Sequence, residues 1–186
     1  MIKEIEKDIY KIKGFCNVYL LMLDEIIVID TSAHENKETI RKGIEKITPL
    51  SSVSKVILTH FHYDHIGNID LFPNAEFFAH KDEIKAYKSN PRGTIANRDY
   101  IKENNIRIKE LGEKIGPLKV LHTPGHTIGS VCLYFESKKI MFSGDTIFGR
   151  GIIGRTDLPT SDREKMKETL KMLSKYEISA LCPGHG

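Results

Sequence analysis

The sequence predicts a mixed α/β (α+β) domain, with strands and helices interspersed along the chain. Short apolar runs bounded by turn residues mark the strands, and apolar residues at helical spacing mark two longer helices. The composition, 40% hydrophobic and 28% charged, is that of an ordinary globular protein. A chain of 186 residues fits one domain and is long enough to bury a hydrophobic core.

Taken in order, residues 3–9 alternate weakly as a first strand. Residues 15–23 are strongly apolar, and Asp24-Glu25 turns them into Ile26-Ile27-Val28-Ile29, the pattern of an antiparallel hairpin. Asp30-Thr31-Ser32 ends the second of these strands. Ile40, Ile44 and Ile47 recur at helical spacing over 35–47, and Pro49 closes that helix. Residues 53–59 read as a strand with His60 just past its end. A loop running into a short helix is expected over 60–70, a short strand over 75–79 and a short helix over 81–87. Residues 88–105 are polar and carry Pro91 and Gly93, so a lid or flap is expected there. Strands resume at 106–111, 117–122, 130–135 and 139–143. Met166, Leu170 and Leu173 share one face of a helix over 162–175, and residues 178–181 form a last strand. Several strands are hairpin neighbours, which argues against a purely parallel, doubly wound sheet.

Charge and cysteine usage exclude several classes. A net charge of +3 with scattered lysines and no dense basic block argues against nucleic acid or a membrane surface as partner. No apolar run approaches the roughly 18 residues that would cross a bilayer. Met1 to Asp8 alternates charged and apolar residues without an apolar signal region, so a cytoplasmic protein is expected. Cys16, Cys132 and Cys182 are too widely spaced for a metal knuckle and too few for a disulfide framework. Cys16 and Cys132 read as buried thiols.

The chemistry is concentrated in Thr59-His60-Phe61-His62-Tyr63-Asp64-His65. Imidazole and carboxylate are the ligands zinc accepts where thiolate is absent. Residues two apart at a strand end point the same way, so His60 and His62 can reach one ion, while Asp64 and His65 begin the next turn and can face a second. Three more polar residues follow apolar strands and glycine turns: His126 in Thr123-Pro124-Gly125-His126, Asp145 in Phe142-Ser143-Gly144-Asp145, and His185 in Pro183-Gly184-His185. Asp30 and Thr59 are candidates to orient the imidazoles from behind. His34, His80 and His122 read as ordinary loop or core histidines.

His60-x-His62-x-Asp64-His65 with His126, Asp145 and His185 resembles the motif set of the metallo-β-lactamase-fold hydrolases, from about residue 15 to the end of the chain. The resemblance implies a four-layer αβ/βα sandwich, two mixed sheets flanked by helices, with the site at one edge. It assigns His60, His62 and His126 to a first metal and Asp64, His65 and His185 to a second, with Asp145 bridging. It also implies two divalent ions, zinc first, with iron and manganese also suited to such ligands. A pair of ions about 3.5–4 Å apart acidifies a bridging water, and the resulting hydroxide attacks a carbonyl carbon. Asp64 also contacts that nucleophile in this scheme, so Asp64 and Asp145 are the expected catalytic carboxylates. A final helix follows the last motif in the fold. Here the chain reaches Gly186, so a single domain over 1–186 without that helix is expected.

Gly144-Asp145-Thr146-Ile147-Phe148-Gly149-Arg150-Gly151-Ile152-Ile153-Gly154-Arg155-Thr156-Asp157 is similar to the glyoxalase II-like group, in its short, single-domain branch. That implies a small-molecule thioester or ester substrate. In glyoxalase II a lysine near this point holds the glutathione carboxylate. Arg155 lies about one residue from that position and is the candidate substrate anchor, or else a loop-fastening arginine paired with Asp157 or Asp162. Tyr63 is a candidate for shaping the pocket mouth, or for packing. Two other functions share the motifs: a mononuclear iron dioxygenase acting on a persulfide, and a non-catalytic metal-binding module.

Overall fold

Alternation along single strands builds the layers. In β3 (Val18–Met22), Val18 and Leu20 face one way and Tyr19 and Leu21 the other, and all four are buried. Val28 of β4 (Ile26–Ile29) likewise packs opposite to Ile27 and Ile29, and Val56 of β5 (Lys55–Ile57) opposite to Ile57. These strands are therefore covered on both faces, which demands layers above and below.

The computed structural model describes residues 1–96 and 107–186. Among these, seven strands form one sheet in chain order: β1 (Ile2–Glu6), β2 (Ile9–Ile12), β3, β4, β5, β6 (Glu76–Ala79) and β7 (Ile108–Glu110). Strands β1 to β4 pair antiparallel and β4 to β7 parallel. Five strands form a second sheet in the order β12 (Ala180–Pro183), β11 (Ile140–Gly144), β10 (Val131–Phe135), β9 (Leu118–His122), β8 (Lys114–Ile115). Its pairs are antiparallel except β11 with β12.

The inner faces meet in a core of Tyr19, Leu21, Ile29 and Ile57 against Leu133, Phe135, Phe142 and Cys182. Helix α1 (Lys37–Glu45) covers the outside of the first sheet through Ile40 and Ile44. Helix α5 (Arg163–Leu173) covers the second through Leu173, against Leu121, Cys132, Tyr134 and Met141. This is the four-layer sandwich that the resemblance implies. All three cysteines are buried and free. Among the described residues, no helix is long and apolar enough to cross a membrane.

Several boundaries differ from the sequence reading. The strand expected over 3–9 is two strands, β1 and β2, broken at Asp8, whose φ of +64° turns the chain back. The apolar run from residue 15 pairs only from Val18, because the Phe15 and Cys16 amides donate to Asn36 Oδ1 and Ser32 Oγ instead of a neighbouring strand. Phe15 is left 58% exposed. Strand β8, with two residues, carries too little pattern to be read. The helix expected over 35–47 opens as a 3-10 turn (His34–Asn36) before α1. The helix expected over 81–87 is α3 (Lys81–Ser89), with α2 (Tyr63–Ile66) before it. Of the expected lid over 88–105, the described part holds a short helix, α4 (Pro91–Ile95), capped by the Asn90 side chain. The lid expectation for residues 97–105 lies outside the described residues.

The two end-of-strand histidines read as ordinary, His80 and His122, stack with ring centroids 3.9 Å apart at 16°. Burial, reinforced by His122, pushes His80 down to about 4. A free histidine titrates near 6.5, so between those values the unfolded chain binds a proton that folded His80 refuses. Stability contributed here is complete above 6.5 and declines as the pH falls toward 4. In metal-free protein, the urea midpoint of His80→Gln should drop less between pH 7 and pH 5 than that of the wild type. Equal drops would exclude His80 as a source of acid sensitivity. At the centre of the core, Phe142→Ala should lower unfolding free energy by about 3–5 kcal/mol in urea titration, the usual cost of emptying a buried aromatic site.

Candidate metal centre

Five strands release polar residues just beyond their C-terminal ends. Asp30 follows β4, His60 and His62 follow β5, His126 follows β9, Asp145 follows β11 and His185 follows β12, while Asp64 and His65 lie on α2. The structure brings all seven expected ligands together. His60 Nε2 and His126 Nε2 lie 3.0 and 2.9 Å from His62 Nδ1. His185 Nε2 lies 3.1 Å from Asp64 Oδ2, and His65 Nε2 lies 3.9 Å from the same oxygen. Asp145 stands between the groups: Oδ2 is 3.6 Å from His126 Nε2 and 3.3 Å from His185 Nε2, and Oδ1 is 3.3 Å from His65 Nε2.

Two glycines make this approach possible. A Cβ on Gly184 would overlap Asp145 Oδ1 and the His65 ring. Gly144 has φ +47°, and a Cβ there would press on the Thr59 side chain. Asp30, itself at φ +57°, accepts from the Thr59 amide and hydroxyl, both at 2.8 Å, and from His65 Nδ1 at 2.8 Å. Both residues proposed to orient the imidazoles therefore touch them, since Thr59 Oγ1 also lies 3.1 Å from His60 Nδ1.

The outer ring nitrogens decide what the inner ones can do. His126 Nδ1 can only donate to the Arg155 carbonyl, 2.9 Å away, and His185 Nδ1 only to the Phe15 carbonyl, also 2.9 Å away. The Thr59 hydroxyl spends its hydrogen on Asp30, so it accepts from His60 Nδ1. In the neutral rings, each proton so placed leaves a bare Nε2 pointing inward. His62 Nδ1 can supply at most one hydrogen to the two Nε2 atoms beside it, so lone pairs converge. The buried His62 Nε2, His65 Nε2 and Asp145 Oδ1 have no hydrogen-bond partner. A divalent cation suits this donor set of imidazoles and carboxylates, where it would take the place of the protons that His65 and His185 otherwise hold against Asp64 and Asp145.

Titration behaviour follows the same division. Burial, aided by His65, His62 and His126, holds His60 well below the usual imidazole range. Burial and His126 push His62 down to about 3, and burial lowers His126 against the pull of Asp145. On the other side, hydrogen bonds to Asp145 and Asp64 raise His185 to about 10. Burial opposes charge on His65, but the carboxylates of Asp145, Asp30 and Asp64 outweigh it. The Cys16 thiol, 3.3 Å from His65 Nδ1, is pushed up by its own burial and stays uncharged. Burial opposes ionisation of Asp145 too, yet His65 and His185 keep it well below the usual carboxylate range. The two carboxylates thus draw positive charge to the place where a cation's charge would fall.

The remaining candidates stand at the rim. Tyr63 is half-buried, with its ring 6.2 Å from that of Phe15. Phe15 and Phe148 lie 5.8 and 6.3 Å from the His185 ring. The Arg155 guanidinium grips Asp157 through two 2.9 Å bonds in the open, and it is the Arg155 carbonyl that reaches the site. Sequence reasoning missed the Phe15 carbonyl, which no side-chain pattern reveals. It also missed Glu83, which reads as an ordinary acidic residue in a first helical turn.

The sequence profile of the Metallo-beta-lactamase superfamily matches residues 12–185. A protein named Probable metallo-hydrolase MJ0888, from Methanocaldococcus jannaschii, is 29% identical over 194 aligned positions, covering 96% of this chain and 92% of that protein. A hydroxyacylglutathione hydrolase from Prochlorococcus marinus is 29% identical over 137 positions, covering 68% of this chain but 48% of that enzyme. The crystal structure of TTHA1623 in a di-iron-bound form is 27% identical with a TM-score of 0.76, covering 95% of this chain and 90% of that one.

Gly184→Ala tests the close approach directly. The variant should keep its fold by circular dichroism yet bind zinc roughly 10–100-fold more weakly in chelator competition, the loss expected when ligands are displaced. Wild-type affinity in the variant would show that the ligands do not need this contact distance.

Proposed function

The chain belongs to the metallo-beta-lactamase superfamily, and on that premise we propose that it is a binuclear hydrolase that cleaves a thioester or ester bond, in the manner of hydroxyacylglutathione hydrolases. The observation that carries this reading is the position of Asp145, whose carboxylate faces His126 on one side and His65 and His185 on the other. A carboxylate shared between two complete ligand sets is what a two-cation site requires. His60, His62 and His126 would hold one cation, and Asp64, His65 and His185 the other. When bound, such a pair supplies Lewis acidity, lowering the pKa of water and drawing charge from a carbonyl oxygen.

The chain's own residues supply the rest. Asp64 is 7% exposed and kept ionised by His65 and His185 against the effect of burial, so it can accept a hydrogen bond from an attacking water and hold its proton. Arg155, Phe15 and Asp30 fix the ring planes of His126, His185 and His65 from behind, which keeps the inner lone pairs aimed without reorganisation. His185 is the most open ligand, with its side chain 32% exposed, so substrate enters past it and past Phe15, Tyr63 and Phe148. These rings give the entrance an apolar wall suited to an acyl chain. A glutathione carboxylate would have to displace Asp157 to use Arg155, so the acyl thioester is proposed as the selected feature and glutathione as one thiol that can carry it.

A second reading, a mononuclear iron dioxygenase acting on a persulfide, shares iron with the 27%-identical relative, although that structure holds two irons and not one. The gathered Asp64, His65 and His185 weigh toward hydrolysis, because a single ion held by His60, His62, His126 and Asp145 would not need them.

The two readings part in a screen of metal-quantified protein with S-lactoylglutathione, other thioesters, simple esters and phosphodiesters, run beside oxygen uptake with glutathione persulfide. Thioester or ester turnover without oxygen uptake is expected. Asp145→Ala should reduce that turnover by roughly a hundredfold to a thousandfold, the scale of losing electrostatic stabilisation at a reacting carbonyl, and should lower metal content. Persulfide-dependent oxygen uptake with no hydrolysis would replace this proposal by the second reading.

A further inference from the structure

Glu83 lies in the first turn of α3, yet it is 0% exposed. Its Oε1 accepts from the Phe61 amide at 2.9 Å. Its Oε2 accepts from the Thr127 hydroxyl at 2.8 Å and from the Gly129 amide at 2.9 Å. Amide N–H groups only donate, so both oxygens must act as acceptors. Burial raises its pKa, and the same three donors pull it back toward the ionised form. Among the described residues, no Lys or Arg joins these bonds. A buried carboxylate is costly to keep, so its placement on three neutral donors calls for a reason beyond packing.

The bonds supply one. Phe61 lies between His60 and His62, and Thr127 directly follows His126. Those loops leave different sheets: the first follows β5, the second β9. One carboxylate therefore joins, across the sandwich, the two segments that carry all three imidazoles of the first ligand set. The join is tight, because a Cβ on Gly129 would overlap the Glu83 backbone. The Thr127 amide and hydroxyl also bond Ser130 Oγ, at 3.1 and 2.8 Å, which stiffens the second loop beside the carboxylate. Glu83 hydrogen-bonds none of His60, His62 or His126 itself, and among the described residues nothing ties it comparably to Asp64 or His185.

We infer that Glu83 is a positioning residue for the first cation: it sets the separation of His126 from His60 and His62, and with it the affinity of that site relative to the other. The inference rests on the two-cation reading of the centre and extends it to an unequal dependence of the two sites on one distant side chain. Glutamine at this position keeps the size but presents an NH2 group to donors, so at least one of the three bonds becomes a clash of donors.

The test is zinc titration of wild type, Glu83→Gln and Thr127→Val by chelator competition, with native mass spectrometry for stoichiometry and thermal melts of the metal-free proteins. Wild type should bind two equivalents. Glu83→Gln should bind one equivalent as wild type does and the other roughly 10–100-fold more weakly, the range for groups that orient ligands. Thr127→Val should weaken the same equivalent by a smaller factor, and it keeps the question answerable if Glu83→Gln does not fold. The inference is overturned if the folded variants bind both equivalents as wild type does while only their metal-free melting points fall, or if both equivalents weaken alike. If wild type takes up a single equivalent, the two-cation reading fails by itself. Glu83 is then judged on that equivalent: a tenfold or greater weakening supports its role, and no change refutes it.

Discussion

The site depends on one constraint: several ring nitrogens must face common points inside the protein, with their outer N–H groups already committed elsewhere. Neutral imidazole has one N–H and one lone pair, and the fold spends the N–H outward. The acceptors are main-chain oxygens of Phe15 and Arg155, the Asp30 carboxylate and the Thr59 hydroxyl. Once those acceptors are in place, the inner face of each ring is determined. The arrangement is poor for the folded chain alone, since facing lone pairs repel and Asp145 Oδ1 stays without a hydrogen bond. Its compensation is a cation, and the rigidity of two packed sheets is what keeps the rings from turning away in the meantime.

That rigidity comes from the doubly covered strands. Strands β3, β4, β5 and β10 are buried on both faces, so shifting any one of them disturbs two cores. His60 sits three residues beyond β5, His126 four beyond β9, Asp145 one beyond β11 and His185 two beyond β12, too short a tether to wander, and His62, Asp64 and His65 follow His60 within five residues. The exception is His185, at the open edge, whose ring is fixed by a carbonyl and flanked by Phe15 and Phe148 rather than enclosed. Protection and access are thereby divided between the two ligand sets. The first is sealed by Glu83 behind it, and the second meets the solvent.

Much of this was legible from residue types and spacing. Four ligand-type side chains within six positions, and three glycine turns each ending in one polar residue, pointed to the seven residues that the fold gathers, because metal sites need side chains of defined chemistry at strand ends. The strand–helix order was legible because burial imposes periodicity. What escaped reading was whatever depends on the main chain or on distant contacts. The Phe15 carbonyl has no signature, and an amide that bonds Asn36 rather than a strand still belongs to an apolar-looking run. Asp8 breaks the first strand through a backbone angle that a single aspartate does not announce. Glu83 looks like any acid favouring a helix start, and only folding reveals that it points inward. His80 and His122 read as ordinary loop or core histidines, and their stacking joins positions that no local pattern links.

The closure around His185 has a consequence for assembly. Its ring is held by Phe15 across 170 positions, and the neighbouring Pro183 carbonyl is held by Tyr19 and Asn17 across similar spans. Segments far apart in the sequence of this domain thus meet at one point. A ribosome-bound chain can gather His60, His62 and His126 once β9 has emerged, but it cannot complete the other set until β12 has docked beside β11. Gathering of that second set of residues is therefore a readout of β12 docking in the second sheet, later than the gathering of the first.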